Sequence, residues 1–495
     1  MSEPDLAASL GEMVKESNTH GSPGSAEALA ARLSELPDED GVARIVLEAL
    51  RGAGPRAWVR LDDELRYCDR QRRAAERVEP SSALGVLRAL CSADGRVREE
   101  ALRRSDELPR LLPMVVIRAA DWAAPVRDAA RAALPGLLRD ALGTADGRAV
   151  GLVALATSLA GRRRGGFVVE LVARLLADVP SEVLAAVRRA DDRFVRRMAC
   201  DVWLGRPDTD VLDILDAALT EPDNVCRSRC ARFVVEQALA EHRPDLVEPL
   251  LAAAGGDLRA LALEALVRMG RPGKGRAFLG DRSGGVRSVA QWAVRRDGED
   301  PVSFYREALP AGADDGTAAV AGLVLGLGEC GTREDMAIAA PFLRHGTPRV
   351  RAAAVRAVSA LGGRGGGWAA LLADPAPAVV RTVSRTMLAL EVTVPVEELR
   401  ELLAAARPLH VRRAAYLLLI RRDTWTRLDA DLRLLAARDP ELGEVARADL
   451  LDWLRREAAT AYGRPLGGGL ERLVRDVGGV LPEEAERRLR WHLGL

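Results

Sequence analysis

The sequence predicts an all-α fold in which pairs of helices repeat along the chain and stack into a right-handed superhelix. From Ala26 onward, apolar residues recur at i, i+3, i+4, i+7 and i+8, the pattern of one buried helix face. Aromatic residues make up only 4% of the chain, and alternating polar and apolar runs, which would favour strands, are rare. The third observation is a unit of about 31 residues that recurs roughly eleven times.

Each copy of this unit contains a helix that opens with Val-Arg or a close variant. The arginines of the motif are Arg98, Arg127, Arg196, Arg227, Arg259, Arg287, Arg351, Arg381 and Arg412. Most neighbours in this series are about 30 residues apart and two gaps are about twice as long, so degenerate copies are expected near 146–160 and 315–331. A turn that often contains Asp or Pro precedes this second helix, and a shorter first helix precedes the turn.

Small apolar residues dominate the buried face of the second helix in each pair. In one copy this face consists of Val350, Ala353, Ala354, Ala357, Val358 and Leu361. A single helix pair cannot bury such a face, so neighbouring pairs must stack to form a continuous core. Gly270 and Gly362 follow the ends of two second helices, where glycine is favoured because the chain leaves the helix through left-handed backbone angles.

The pattern divides the chain into four regions. They are a flexible acidic N-terminal arm (1–25), N-terminal capping helices (26–80), the repeat array (81–432) and C-terminal capping helices (433–495). The arm is rich in Ser, Gly and acidic residues, which favours disorder, with room for a short helix over 5–14. Trp453 and Trp491 are expected to cover the last repeat, because terminal repeats need atypical outer faces.

Charge and composition restrict the class of protein. Lysine plus arginine and aspartate plus glutamate both number 72, so the formal net charge is zero, which argues against a chain that coats nucleic acid through bulk charge. Residues 1–50 hold ten acids and three bases, so an acidic start precedes a mildly basic body. Lysine occurs only at Lys15 and Lys274, and this preference for arginine is typical of a GC-rich bacterial genome such as that of an actinomycete.

The cysteines and the N-terminus predict a cytoplasmic protein. Six cysteines lie mostly within apolar helical patterns, where a thiol behaves as a small hydrophobe, and no disulfide framework is expected. The first residues lack the basic and apolar segments of a signal peptide. Charges interrupt every apolar segment before it reaches about 18 residues, so no membrane partner is expected.

The repeated motif resembles that of the HEAT family, in which a turn Asp is followed by Val-Arg at the start of the second helix. The segments that carry the resemblance are 192–200, 223–233, 281–294 and 374–388. In that family the Asp and Arg side chains form a ladder between adjacent repeats. The resemblance implies this role for Asp192/Arg196, Asp223/Arg227, Asp281/Arg287 and Asp374/Arg381, whereas the ladder is expected to be broken at Arg351 and Arg412, which lack the preceding Asp.

No set of residues predicts catalysis, so the chain is expected not to be an enzyme. It contains neither a G-x-S-x-G nucleophile motif nor a complete phosphate-binding loop. HEAT-like hydroxylases hold two irons with His-Glu pairs, but none of the five histidines is followed by Glu, so neither a metal nor a cofactor is expected. Cys226 and Cys230 lie four residues apart and are interpreted as small buried residues rather than as a metal or redox pair.

The candidate binding residues lie on the exposed side of the second helices, opposite the apolar face. They are Arg131, Arg197, Arg232, Trp292, Arg356, Arg385 and Arg413. Second helices line the concave face of HEAT-type solenoids, so the resemblance implies an interaction scaffold that holds a protein or peptide partner there.

Nucleic acid is the alternative partner, because arginines contact phosphates. HEAT-like alkylpurine DNA glycosylases also place Trp, Asp and Arg on their concave face. A third hypothesis is that the acidic arm folds back over the basic groove and inhibits binding.

Overall fold

The computed structural model of the chain describes residues 2–18, 23–71, 79–104, 106–143, 148–311, 318–365, 367–458 and 469–495. Its contacts divide the chain into two compact units, Met1–Gln237 and Ala238–Leu495. All regular secondary structure within the described residues is helical.

The helices of the first unit are mostly short. They are α1 (Glu3–Asn18), α2 (Pro23–Glu35), α3 (Asp40–Leu50), α4 (Pro55–Gln71), α5 (Ala83–Leu90), α6 (Gly95–Arg104), α7 (Leu112–Arg118), α8 (Ala124–Leu142), α9 (Arg148–Ser158), α10 (Gly166–Leu176), α11 (Ser181–Arg188), α12 (Arg193–Leu204), α13 (Val211–Thr220) and α14 (Asn224–Glu241), which ends beyond Gln237.

The second unit combines α-helices with short 3₁₀ helices. Its α-helices are α15 (Gly256–Arg268), α16 (Gly284–Arg296), α17 (Pro301–Ala311), α18 (Ala318–Cys330), α19 (Met336–Ala339), α20 (Pro348–Ala360), α21 (Trp368–Leu371), α22 (Pro377–Ala389), α23 (Val396–Leu403), α24 (Leu409–Ile420), α25 (Thr424–Ala436), α26 (Gly443–Arg456), α27 (Gly469–Asp476) and α28 (Glu483–Leu493). The 3₁₀ helices span Pro244–Leu246, Glu248–Ala252, Pro272–Phe278, Arg333–Asp335 and Ala340–Arg344.

Neighbouring helices form pairs, and the pairs stack within each unit. In the first unit α5 contacts α6 and α7 contacts α8, and the second helices α6 and α8 also contact each other. In the second unit the second helices α18, α20, α22 and α24 contact one another in that order. One cluster of buried residues runs through much of each unit. The prediction of an all-α fold built from repeated helix pairs is therefore confirmed.

Small residues allow the second helices to approach closely, as the sequence predicts. Val350, Ala354 and Ala357 on α20 are at most 1% exposed. Gly328 on α18 faces this surface so closely that a Cβ at its position would lie 2.5 Å from the Cα of Ala357. A larger side chain at this glycine would force the two helices apart.

The predicted helix-ending glycines are confirmed at both positions. Gly270 and Gly362 follow α15 and α20 with φ angles of +77° and +89°, which glycine adopts without steric cost. The next residue then donates its backbone N–H to a carbonyl in the last turn, as from Gly363 to Val358 at 2.8 Å.

The N-terminal arm differs from its prediction, because residues Glu3–Asn18 form the helix α1. Leu6, Leu10 and Val14 on this helix are buried in the core of the first unit. Polar contacts also fix the end of the helix, since the amide of Asn18 donates to Gly52 at 2.8 Å. The acidic composition suggested disorder, but one apolar residue per turn is enough to dock the helix. Residues 19–22 lie outside the described residues.

The two tryptophans expected to cover the last repeat have different environments. Trp453 is buried at 2% exposure, whereas Trp491 is 77% exposed. The prediction is therefore wrong for Trp491. Leu489 and Leu493 on the same helix, α28, are buried instead, because they lie on its apolar face.

An arginine at the start of each of several second helices bridges its own turn to the turn of the next repeat. Nη1 of Arg351 donates to the carbonyls of His345 and Gly346 at 2.8 and 2.9 Å. Nε and Nη2 of Arg351 donate to both carboxylate oxygens of Asp374 at 2.7 and 2.8 Å. Asp374 in turn accepts the backbone N–H of Ala376 at the start of α22. One guanidinium thus ties two consecutive turns together.

The same geometry recurs at Arg98 with Asp121 and at Arg259 with Asp281. In both cases Nη1 also donates to two carbonyls of the arginine's own turn. Burial alone would raise the pKa values of these two aspartates, but the arginine and backbone hydrogen bonds outweigh it and lower them. The carboxylates are therefore held ionised opposite the arginines.

The predicted ladder needs correction, because several of its arginines pair with an acid of the following repeat, as Arg287 does with Glu329. Arg351 and Arg412, where the ladder was expected to be broken, are paired, the first with Asp374 and the second with Asp439 and Glu441. Arg381, expected to take part, is exposed and makes no ion pair with the described residues. An aspartate that pairs with a bridging arginine thus lies after it in the sequence, in the turn of the next repeat.

A fully buried ionic network extends this arrangement in the first unit. Arg118 lies between Asp62 on α4 and Asp121, and Asp121 also binds Arg98. The four side chains are at most 2% exposed. Since an unpaired charge at such a site costs roughly 3–5 kcal/mol, the network fixes how α4, α6 and α7 meet.

The register of the arginine bridges can be tested with two matched substitutions. Arg351→Ala should lower the free energy of unfolding by about 3 kcal/mol, because Asp374 and two turn carbonyls lose their partner. Arg381→Ala, one repeat later, should change it by less than about 0.5 kcal/mol. Urea unfolding followed by far-UV circular dichroism measures both values, and equal losses in the two variants would contradict the observed register.

Candidate interaction surface

Four arginines form a continuous exposed series on three stacked second helices, and we name this series the arginine face. It consists of Arg356 on α20, Arg381 and Arg385 on α22, and Arg413 on α24. The first buried valines of these helices are Val350, Val379 and Val411. Arg356 and Arg385 come six residues after the valine of their helix, and Arg381 and Arg413 come two residues after it. These positions differ by four residues, about one helical turn, so the side chains lie on equivalent faces of adjacent helices.

The arginine face has no compensating acid on its own helices. The sequences of α20, α22 and α24 contain neither Asp nor Glu. All four arginines are exposed and make no ion pair with the described residues. The bridging arginines of the same helices, Arg351 and Arg412, are by contrast neutralised by carboxylates. The face therefore presents an uncompensated positive charge to solvent, which attracts anions.

An exposed tryptophan lies at the equivalent position on an earlier helix of the same stack. Trp292 on α16 also occupies the sixth position after the first buried valine, Val286, and is 39% exposed. The guanidinium carbon of Arg296 lies 6.0 Å from its ring centroid. Helix α16 contacts α18, which contacts α20. Exposed tryptophan beside arginine is a composition typical of protein-binding hot spots.

The predicted binding residues of the first unit do not form a comparable surface. Nε of Arg131 donates to the Ala119 carbonyl at 3.0 Å, and its guanidinium stacks 4.3 Å from the Phe167 ring centroid. Arg197 binds both carboxylate oxygens of Asp223 at 3.0 and 2.8 Å. These hydrogen bonds place the pKa of Asp223 well below its usual range. Only Arg232 of the three is exposed and makes no ion pair with the described residues.

The first unit carries instead a cleft with five acidic and three arginine side chains in its wall, which the predicted site did not include. The cleft measures about 570 Å³ and lies between α11, α12 and α13. Its side chains include Arg188, Trp203, Asp210, Asp213 and Asp216, and the guanidinium carbon of Arg188 lies 3.3 Å from the Trp203 ring centroid. The three-residue spacing of the aspartates along α13 is the sequence signal that could have revealed this side of the cleft, because it places them on one helix face.

Two searches of the part of the chain that the structure describes concern metal ions and membranes. Across the described ranges, no group of three or more His, Cys, Asp or Glu side chains is arranged to hold a metal ion. Among the helices of the same residues, none combines the length and the apolar character needed to cross a membrane. Cys226 and Cys230 are both buried, which agrees with their interpretation as small core residues.

One buried carboxyl in the second unit has an unusual environment. Asp431 on α25 is 1% exposed and accepts a hydrogen bond from the Tyr416 hydroxyl at 2.6 Å. Burial, together with the nearby negative charge of Asp449, raises the pKa of Asp431 to about 8, although the Tyr416 hydrogen bond opposes the shift. Asp449 is itself held by Arg427 at 2.6 Å. Asp431 is therefore a group that titrates near neutral pH inside the core.

These features define the chain as a helical-repeat protein with an exposed arginine face in its second unit. No protein-family model matches the chain, and no curated protein does either. It is similar to several solved structures at low identity. They include Kap121p (13% identity, 99% of this chain and 51% of that chain, TM-score 0.23) and the myosin chaperone UNC-45 from C. elegans (12%, 96% and 69%, TM-score 0.25).

A circular tandem repeat protein is also similar (16% identity, 99% of this chain and 87% of that chain, TM-score 0.12). The assignment of the fold rests on the helices and contacts of the chain itself.

The pH dependence of stability should report the buried carboxyl. In the folded state the pKa of Asp431 is about 8, against an ordinary value of 3.8, so the folded chain retains a proton that the unfolded chain loses between these values. Stability should therefore fall as pH rises from about 4 to about 8, by at most about 1.4 kcal/mol per pH unit. Thermal melting of the full chain across this range measures the effect.

Two variants identify the group responsible. Asp431→Asn should remove this part of the pH dependence, because the amide does not titrate. Tyr416→Phe should extend the fall to higher pH, because a hydrogen bond that favours the ionised carboxylate is lost. An unchanged pH profile in Asp431→Asn would show that another group is responsible.

Proposed function

We propose that this chain is a non-catalytic interaction scaffold of HEAT-like repeats, in which the arginine face of the second unit binds an acidic segment of a partner protein. The observation that carries the proposal is the uncompensated charge of this face on three consecutive helices. We also propose that the protein acts in the cytoplasm of a bacterium, as its composition and unpaired cysteines suggest.

The chemistry of the face favours a protein partner. An acidic peptide offers carboxylates, to which a guanidinium can donate two parallel hydrogen bonds. Trp292, at the equivalent register of α16, adds an aromatic surface that a peptide side chain can cover. Between the arginines, small residues such as Ala352 and Ala360 leave the helix surface low, so a partner backbone can come close.

Nucleic acid remains the second candidate, and the same four arginines support it because phosphates also accept paired hydrogen bonds. The hypothesis of an inhibitory free arm is not proposed further. Leu6, Leu10 and Val14 dock α1 into the core of the first unit, so this segment is not free to cover another surface without unfolding from it.

Charge reversal of the arginine face provides the test. Arg356→Glu combined with Arg385→Glu should reduce capture of an acidic partner at least tenfold, because attraction becomes repulsion. The matched control is Arg472→Glu combined with Arg475→Glu on α27, which changes two exposed arginines of the same unit by the same charge. Capture from nuclease-treated native extract, with quantitative mass spectrometry and confirmation with the purified partner, measures the difference.

The nucleic-acid alternative is distinguished in the same experiment. If only nucleic acid is retained, and purified duplex DNA or single-stranded RNA binds the wild type with a steep salt dependence that the double variant loses, the partner is nucleic acid. Protein capture that is equal in the wild type, the variant and the control would exclude the arginine face as the binding surface.

A further inference from the structure

Three cysteines meet in the core of the first unit, although they are separated in the sequence. Cys200 lies on α12, and Cys226 and Cys230 lie on α14. Their exposures are 4%, 2% and 1%. The sulfur atoms of Cys200 and Cys230 are 3.8 Å apart, which is a close contact between two thiols on consecutive second helices.

We propose that Cys200 and Cys230 form a redox-responsive pair that a peroxide converts to a disulfide between these two helices. The geometry carries the proposal, because the sulfurs already touch across the interface and need only a further approach of less than 2 Å to reach bonding distance.

The surroundings make one of the two thiols the better nucleophile. Arg188 on α11 is close enough to both thiols for their charges to interact. A hydrogen bond from Cys200, opposed by burial and assisted by the positive charge of Arg188, lowers the pKa of Cys230. A hydrogen bond from Cys226 lowers the pKa of Cys200, but the hydrogen bond with Cys230 and burial outweigh it and raise this pKa to about 12. Cys230 is therefore the thiol that ionises first and reacts first.

An open cleft in the first unit shares Arg188 with the surroundings of this pair. Arg188 and Trp203 line the open cleft between α11, α12 and α13, and Trp203 belongs to the same helix as Cys200. Hydrogen peroxide is uncharged and similar in size to water, so it is the oxidant best suited to reach two buried sulfurs. Larger oxidants are excluded by the burial of both sulfurs.

The reaction is balanced with peroxide as the only co-reactant. The Cys230 thiolate attacks one peroxide oxygen, the O–O bond breaks, and hydroxide leaves and takes up a proton to become water. The resulting sulfenic acid is attacked by the Cys200 sulfur, the S–O bond breaks, and a second water leaves with the proton of the Cys200 thiol. Two thiols are oxidised, one peroxide is reduced to two waters, and α12 and α14 become covalently linked.

Counting accessible thiols in the full chain tests the pair. The protein is treated with hydrogen peroxide under native conditions, freed of oxidant, unfolded, alkylated with N-ethylmaleimide and weighed intact. The reduced chain has six cysteines to alkylate, and the oxidised chain should carry two fewer additions. Dithiothreitol before alkylation should restore them. Chymotryptic mapping of the wild type should identify a cross-linked peptide joining Cys200 and Cys230.

Single variants assign the partners. In Cys200→Ser and in Cys230→Ser, peroxide should no longer lower the number of N-ethylmaleimide additions by two. In Cys226→Ser, the matched buried control, peroxide should still lower that number by two. Retention of all six additions in the oxidised wild type would overturn the proposal, and so would a cross-linked peptide joining any other pair. The wild-type mapping decides the matter even if a variant fails to fold, which circular dichroism would reveal.

Discussion

The stacking of the repeats depends on a guanidinium that satisfies two turns at once. Each turn between helices leaves carbonyls without helical partners, and each following helix starts with backbone N–H groups that need an acceptor. Arg351 donates directly to the carbonyls of its own turn and also to Asp374. Asp374 accepts the backbone N–H of Ala376, where the helix of the next repeat starts. A lysine could not replace Arg351, because only the planar guanidinium offers enough donors in fixed directions. The scarcity of lysine is therefore compatible with this architecture.

Bridging and exposed arginines occupy different positions of the same helices, and a shift of one residue decides between them. Three residues of α22 illustrate this, since Val379 takes the buried position, Val380 takes the position of the bridging arginine, and Arg381 is moved to the exposed side. Val380 packs against Val411 and Ala414 of α24. At this junction apolar contact replaces the ionic bridge, and the arginine that would have formed it adds its charge to the arginine face.

Helical periodicity was sufficient to predict the repeated helix pairs, because a buried face every 3.6 residues is a property of local sequence. Periodicity was not sufficient to predict which Arg pairs with which Asp, because each pair joins residues of different repeats. Counting residues from each turn would have improved the prediction of these pairs. The buried valine comes five residues after Asp281 and five residues after Asp374. Arg287 directly follows its valine and takes the bridging position, whereas Arg381 comes one residue later and does not. The docking of α1 and the meeting of Cys200 with Cys230 depend on tertiary packing, which composition does not reveal.

A formal net charge of zero conceals a strongly uneven distribution, and this matters for binding. Charges inside the repeats are neutralised in place, since bridging arginines face aspartates at hydrogen-bonding distance. Such pairs contribute little to the field outside the protein. A partner therefore meets the charges that are not paired inside the repeats. They are positive where α20, α22 and α24 expose arginines without acids, and largely negative along the α13 side of the first-unit cleft. At physiological ionic strength, screening acts over about 8 Å, so a partner responds to these local surfaces and not to the total charge.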